Sequence, residues 1–331
     1  MGGPSIARLR QVVRIGTRRS KLSLWQAKHI ADLLKALEPA VRIEIREYST
    51  RGDANPNAPL PALGGKGLFT EALEEALRRG EIDCAVHSLK DMPVDSAKDL
   101  ALAAVPKRGD HRDALVSRSG ATLSELPQGA RIGTGSLRRR AQLLAIRPDL
   151  EIMPIRGNVP TRLAKLRSTP EQFDALVLAA AGLQRLGLAE HISERFDASQ
   201  MLSAAGQGAL AVQCLNEGDP LVFFGRLMDR LTAHATSAER AFLGALDGGC
   251  ALPVAAYAHI SGNTLHLQGR VLSEDGSQVI DVSSETQAFD EAAGKHFALQ
   301  LGRRLAEQAL EQGADQILQT ISSGTSSTDA G

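Results

Sequence analysis

The chain has 331 residues, 43% hydrophobic and 23% charged, which is a globular composition on a chain too long for one ordinary core, so two or three domains are expected. Lysine plus arginine equals aspartate plus glutamate at 38 each, and only 3% of residues are aromatic, which argues against nucleic acid or an anionic membrane surface as partner. No apolar run approaches the roughly 20 residues of a membrane span, and residues 1–12, with Arg8 and Arg10 but no apolar run behind them, read as a flexible extension rather than a secretory signal.

A strand is predicted from Val12 to Thr17, then a helix with Ala27, Ile30, Ala31, Leu34 and Leu37 on one face. Val41, Ile43 and Ile45 alternate with charged residues as in a half-buried strand. After Gly64-Gly65-Lys66-Gly67, the positions Phe69, Leu73, Ala76 and Leu77 mark a helix that Gly80 can end, and Ile82–Val86 gives a third strand. Strands follow near Ala114–Ser117, Arg131–Thr134, Glu151–Ile155 and Ala175–Ala179, with helices beginning near Ser136, Asn158 and Ala181. This alternation implies an α/β fold with parallel-rich sheets. The joint near Pro106–Arg112 divides two α/β units, and the strand Ala209–Cys214 is placed to cross back into the first sheet, making two crossovers and a hinged clamshell. A helix from about Thr232 to Ala245 leads into three alternating segments, Val254–Ile260, Thr264–Val271 and Gln278–Ser284, joined by short turns as in an antiparallel sheet. A long helix from Phe289 to about Gln312 closes the pattern, and the Ser/Thr/Gly-rich stretch 322–331 reads as disordered. The expected domains are 13–106 with 207–225, then 107–206, then an α+β domain at 230–320.

Arginines gather at the predicted carboxyl ends of strands, where open α/β sheets bind ligands: Arg18 and Arg19, then Arg138, Arg139 and Arg140 behind Ser136, then Arg156 and Arg162. A helix N-terminus capped by Ser136 and followed by three arginines attracts anions, and arginine suits bidentate recognition of carboxylate or phosphate. Lys90 and Asp91 follow the third strand; a carboxylate there can stabilise a cation or move a proton, or the pair is a surface turn. Gly64–Gly67 lacks the Walker spacing and is read as a mobile loop. The three cysteines, Cys84, Cys214 and Cys250, exclude a complete disulfide framework, and the eight scattered histidines give no metal spacing. Cys84 and Cys214 sit in apolar strands, whereas Cys250 follows Gly248-Gly249 in a loop, as an accessible thiol or an inert one.

The runs Ile15-Gly-Thr-Arg-Arg-Ser20, Gly64-Gly-Lys-Gly-Leu-Phe69, Ala85-Val-His-Ser-Leu-Lys-Asp-Met-Pro93, Ile132-Gly-Thr-Gly-Ser-Leu-Arg-Arg-Arg-Ala-Gln142, Ile155-Arg-Gly-Asn158, Ala180-Ala-Gly-Leu-Gln-Arg185, Ala205-Gly-Gln-Gly-Ala209 and Gly248-Gly-Cys250 stand in one order. Together they resemble the porphobilinogen deaminase (hydroxymethylbilane synthase) family from about Arg14 to Gln312. The resemblance implies two periplasmic-binding-protein-like α/β lobes and a third domain. It implies a transferase that condenses four porphobilinogen molecules, with loss of ammonia, onto a dipyrromethane cofactor held by Cys250 through a thioether. It further implies that Asp91 contacts pyrrole N–H groups and stabilises the cation left by ammonia. Arg18, Ser20, Lys90, Ser136, Arg138, Arg139, Arg156, Arg162 and Arg185 would bind carboxylates, and Lys66 and Phe69 would belong to a lid. A cytoplasmic monomer is the expected form. Asn216, Asp247 and Pro160 depart from the common pattern without removing any of these residues. A competing reading of the two-lobed pattern is a non-catalytic binder of small anions, which leaves the third domain and Cys250 without a use.

Overall fold

A computed structural model of the chain describes residues 12–50, 70–95, 97–246, 252–286 and 294–326. It divides into two compact units, Met1–Arg108 with Ala209–Ala233, and Gly109–Gly208 with His234–Gly331. In chain order the elements begin with β1 (Val12–Arg18), α1 (Lys21–Leu37), β2 (Arg42–Tyr48), α2 (Glu71–Arg78), β3 (Cys84–Ser88) and β4 (Leu100–Ala104). Next come β5 (Asp113–Ser117), β6 (Arg131–Gly133), α3 (Leu137–Ile146), β7 (Glu151–Met153), α4 (Val159–Ser168), β8 (Ala175–Ala179), α5 (Ala180–Arg185) and β9 (Glu194–Arg195). The last set is β10 (Leu210–Leu215), α6 (Gly218–Gly225), α7 (Arg230–Ala245), β11 (Val254–Ser261), β12 (Thr264–Leu272), β13 (Val279–Thr286), α8 (Gly294–Glu311) and α9 (Ala314–Ser326).

The first unit holds a five-stranded sheet in the order β2-β1-β3-β10-β4. β1 runs parallel to β2 and β3, and β10 returns antiparallel between β3 and β4. Its helix α1 starts where the Ser20 hydroxyl accepts the Ser23 N–H at 3.1 Å, and buries the stripe Ala27, Ile30, Ala31 and Leu34 against Val13 and Ile15. Leu37, expected on that face, is exposed in the last turn.

The second unit repeats the arrangement as β7-β6-β8-β5-β9, with β6 parallel to β7 and β8 and β5 antiparallel to β8 and β9. Its remaining sheet, β11-β12-β13, is antiparallel throughout and is covered by helices whose Ala238, Phe242, Leu301, Leu305, Ile317 and Leu318 share one apolar core with Leu265 and Leu267. α7 and α8 cross closely at Gly302, where a Cβ would lie 2.4 Å from the Ala238 carbonyl oxygen. Arg270 of β12 reaches Gln142 Oε1 of α3 at 3.3 Å, so the antiparallel sheet contacts the helix that carries the second arginine group. The chain is thus α/β with two parallel-rich sheets and two crossovers, followed by an α+β portion with an antiparallel sheet. The final helix α9 reaches Ser326, past the start of the stretch whose composition predicts disorder, because Ala314, Ile317, Leu318 and Ile321 recur at helical spacing and are buried. Among the described residues no helix is long and apolar enough to cross a membrane.

Candidate active site

In the first unit, β1 delivers Arg18 half-buried and leaves Arg19 exposed, since adjacent strand residues face opposite sides. β3 ends in a single 3₁₀ turn, Leu89–Asp91. Buried Leu89 pins this turn, and its N–H donates to the Ala209 carbonyl at 3.0 Å, so Lys90 is held half-buried and Asp91 exposed. Arg18 and Asp91 line one pocket with Gln26, Thr70, His87 and Ser88, among others. Gln26 Nε2 donates to Ser88 Oγ at 2.8 Å. Ser20, expected to meet carboxylates, spends its hydroxyl on capping α1 and lies 2.8 Å from Ser23 Oγ. A cation and a carboxylate in one polar pocket suit a ligand that carries both an acidic group and N–H donors.

His87, in the lining of that pocket, is buried, its Nε2 3.1 Å from Gln213 Oε1. Burial, partly offset by that hydrogen bond and reinforced by the charge of Arg18, pushes its pKa down from 6.5 to about 4. The unfolded chain therefore takes up this proton at higher pH than the folded one. Stability is expected to fall as pH drops from about 6.5 toward 4, by up to roughly 3 kcal/mol, and to be unaffected by this group above that window. Denaturant melts across this range check it: His87→Gln should flatten the slope, and an unchanged slope would mean the ring titrates normally.

In the second unit, α3 buries Arg138 and Arg139 and leaves Arg140 exposed. The two buried guanidiniums converge on Asp113, which is fully buried at the head of β5. Arg138 Nη1 stands 2.7 Å from Asp113 Oδ2, an ion-pair distance without aligned hydrogen-bond geometry, and donates to the Leu202 carbonyl at 2.6 Å. Arg139 Nε and Nη2 lie 2.9 and 2.7 Å from Asp113 Oδ1, and its Nη1 donates to the Val177 carbonyl at 3.0 Å. Gln207 Nε2 completes the set, donating to Asp113 Oδ1 at 3.0 Å and to the His111 carbonyl at 2.8 Å. Two cations and one anion leave this buried group with a net positive charge.

Arg156 follows β7 on the turn into α4 and Arg162 stands in the first turn of that helix, which Asn158 caps by accepting the Thr161 N–H at 2.9 Å. Gly157 takes φ +115 there, and a Cβ would strike Thr161 at 2.8 Å. Arg162 donates from Nε to the Gly157 carbonyl at 2.7 Å. Burial, then the charges of Arg139 and Arg156, push its pKa down to about 10. Three arginines close enough to repel one another are relieved by an anion, so the residues present fit a carboxylate-bearing group such as a dipyrromethane. Ser136, expected to cap α3, opens that helix without a side-chain capping bond. Arg185 is half-buried, donating from Nη2 to the Gly208 carbonyl at 2.6 Å, next to Gln207; burial lowers its pKa to about 10.

His87 and Gln207 fall inside the quoted runs Ala85–Pro93 and Ala205–Ala209 without being singled out, and neither Asp113 nor Gln26 is given a role by the sequence. Asp113 leaves one trace, a charged residue heading the apolar run Ala114–Val116. Glu239 of α7 is likewise fully buried, accepting the Gly206 N–H at 2.7 Å and the Ala258 N–H at 2.9 Å. Cys250 and the loop with Lys66 and Phe69 lie outside the described residues. Among the described residues no group of three or more His, Cys, Asp and Glu side chains is placed to hold a metal ion.

Residues 13–222 match the family model described as "Porphobilinogen deaminase, dipyromethane cofactor binding domain", and residues 233–311 match "Porphobilinogen deaminase, C-terminal domain". A protein of Xanthomonas axonopodis pv. citri named porphobilinogen deaminase is 48% identical over 307 residues, 92% of this chain and 98% of its own. One of Natranaerobius thermophilus with the same name is 45% identical over 313 residues, 94% of this chain and 99% of its own. Among solved structures, the methionine binding protein MetQ covers 66% of this chain and 89% of its own at 13% identity and a TM-score of 0.42, a likeness too slight to add to the strand order above. With both family models matched in sequence order and relatives aligned over nearly their whole length, the chain belongs to the porphobilinogen deaminase family.

Proposed function

We propose that the chain condenses four porphobilinogen molecules head to tail on a dipyrromethane anchored to Cys250, then releases the linear tetrapyrrole hydroxymethylbilane by hydrolysis. The observation that carries this reading is the match to both family models, 13–222 and 233–311. Each joining breaks the bond from the aminomethyl carbon to nitrogen, releases ammonia, forms a carbon–carbon bond and sheds one ring proton. The dipyrromethane, when bound, supplies the pyrrole carbon at which the chain starts.

Asp91, exposed at the pocket it shares with Arg18, accepts N–H groups of the reacting pyrrole. It stabilises the positive charge that grows as ammonia departs, and it takes up the ring proton. Arg18 and Lys90 serve carboxylates in the first unit, where Ser20 caps α1; Ser136, Arg138, Arg139, Arg156, Arg162 and Arg185 serve them in the second. Because Arg138 and Arg139 spend donors on Asp113 and Arg185 on Gly208, direct carboxylate contact falls first to Arg156 and Arg162. Lys66 and Phe69 would close over the ligand. Three domains at 13–106 with 207–225, 107–206 and 230–320 go with this reading. So does a monomer in the cytoplasm, where the buried free thiols Cys84 and Cys214 stay reduced.

The intact mass of protein purified from cells that make porphobilinogen tests the reading. The expected result is the chain mass plus a dipyrromethane, with the increment lost in Cys250→Ser. An active enzyme of bare chain mass, or an adduct that survives Cys250→Ser, would overturn the anchor.

A further inference from the structure

Thr70 stands at the N-terminal boundary of α2, where a threonine ordinarily turns its hydroxyl onto the first free N–H groups of the helix. Here its backbone carbonyl takes the Leu73 and Glu74 N–H groups at 3.0 and 2.9 Å, and the side chain makes no capping bond. The residue is 1% exposed, and Oγ1 has no hydrogen-bond partner among the described residues. A buried hydroxyl left so costs about 1–3 kcal/mol, which a valine of the same shape would avoid.

Thr70 lines the pocket that holds Arg18 and Asp91. The other polar side chains there have partners: Gln26 donates to Ser88, His87 meets Gln213, and Ser23 Oγ meets Ser20 Oγ. Only the Thr70 hydroxyl is both buried and uncommitted among them. Arg18 in this lining draws a carboxylate of any ligand that enters, and Asp91 draws its N–H donors. A buried hydroxyl in the same lining can add a charge-assisted bond to a carboxylate at no cost to protein bonding, since none is broken.

We propose that Thr70 is a substrate-binding residue whose hydroxyl donates to a carboxylate oxygen of a porphobilinogen molecule seated between Arg18 and Asp91. The inference rests on the functional reading above and adds to it a residue that fixes how tightly each incoming pyrrole is held.

Full-length, cofactor-loaded Thr70→Val and Thr70→Ser test it, with loading verified by intact mass. Thr70→Val should raise KM for porphobilinogen about 10-fold with kcat within about twofold, and Thr70→Ser should restore KM to within about threefold. Without substrate, Thr70→Val should melt at or above the wild-type temperature, and added porphobilinogen should raise its Tm less than it raises that of the wild type. A Thr70→Val enzyme with wild-type KM and wild-type stabilisation by substrate sinks the assignment. So does one that melts lower without substrate, because the hydroxyl then serves the fold. A wild-type chain that leaves porphobilinogen unconsumed sinks the functional reading itself, and this inference with it.

Discussion

Asp91→Asn is expected to lower kcat about 100- to 1000-fold while the protein melts at the wild-type temperature. The side chain is exposed on a turn held by Leu89 and its bond to the Ala209 carbonyl, so neither its charge nor its shape supports the core. An amide keeps the size and one acceptor but neither opposes a growing cation nor takes a proton. Losing one electrostatic contact of that kind commonly costs about 2.7–4 kcal/mol of transition-state stabilisation. KM should change far less than kcat, since the charge opposed exists only as ammonia leaves. Single-turnover ammonia release, followed beside KM, checks it; a variant within threefold of wild type would remove Asp91 from the chemistry.

The second large effect is on stability. Asp113→Asn is expected to destabilise the protein by about 3–5 kcal/mol, because it leaves Arg138 and Arg139 buried side by side without their shared anion. Against the opposing pull of burial, those two charges hold the Asp113 carboxyl well below the usual carboxylate range. Its contribution is therefore present above the unfolded carboxylate pKa and is lost only as pH falls below it. Denaturant melts near neutral pH measure the change. A loss under about 1 kcal/mol would mean that water or relaxation replaces the ion pair. Gln207→Leu removes one neutral donor from the same carboxylate and should cost about 1–2 kcal/mol, which separates charge from hydrogen bonding.

Most of the framework was legible because its elements announce themselves locally. The stripe of α1, the wholly apolar β8 and the alternation of β11–β13 each carry their period in consecutive residues. β4 was missed because Leu-Ala-Leu-Ala-Ala has no β-branched residue and reads as nothing in particular until β10 pairs with it. α9 was missed because its apolar positions give way to a Ser- and Gly-rich end that suggests disorder.

The site was legible as a set of residue types rather than as a set of partners. The resemblance sets Arg138 and Arg139 apart from Arg140, but only the fold shows that the two are turned inward onto Asp113, about 25 residues upstream. Ser136 reads as a cap yet makes no capping bond, whereas Ser20, marked only for carboxylates, does cap its helix. Such differences depend on pairings between distant segments, which local periodicity does not encode.

The two sheets share one strand order, but the reversed inner strand is the last to be made in one and the first in the other. β5 emerges before β6–β9, so the second sheet can assemble as its strands leave the ribosome. The first sheet waits: β1–β4 are synthesised early, yet β3 and β4 have no partner between them until β10 arrives more than 100 residues later. During that interval the N-terminal segment carries unpaired strand edges, and at a translation rate of about 5–20 residues per second the exposure lasts several seconds. The first sheet, whose other strands lie within residues 12–104, is thus the later of the two α/β sheets to mature, and a stall before residue 210 leaves those strands with unpaired edges.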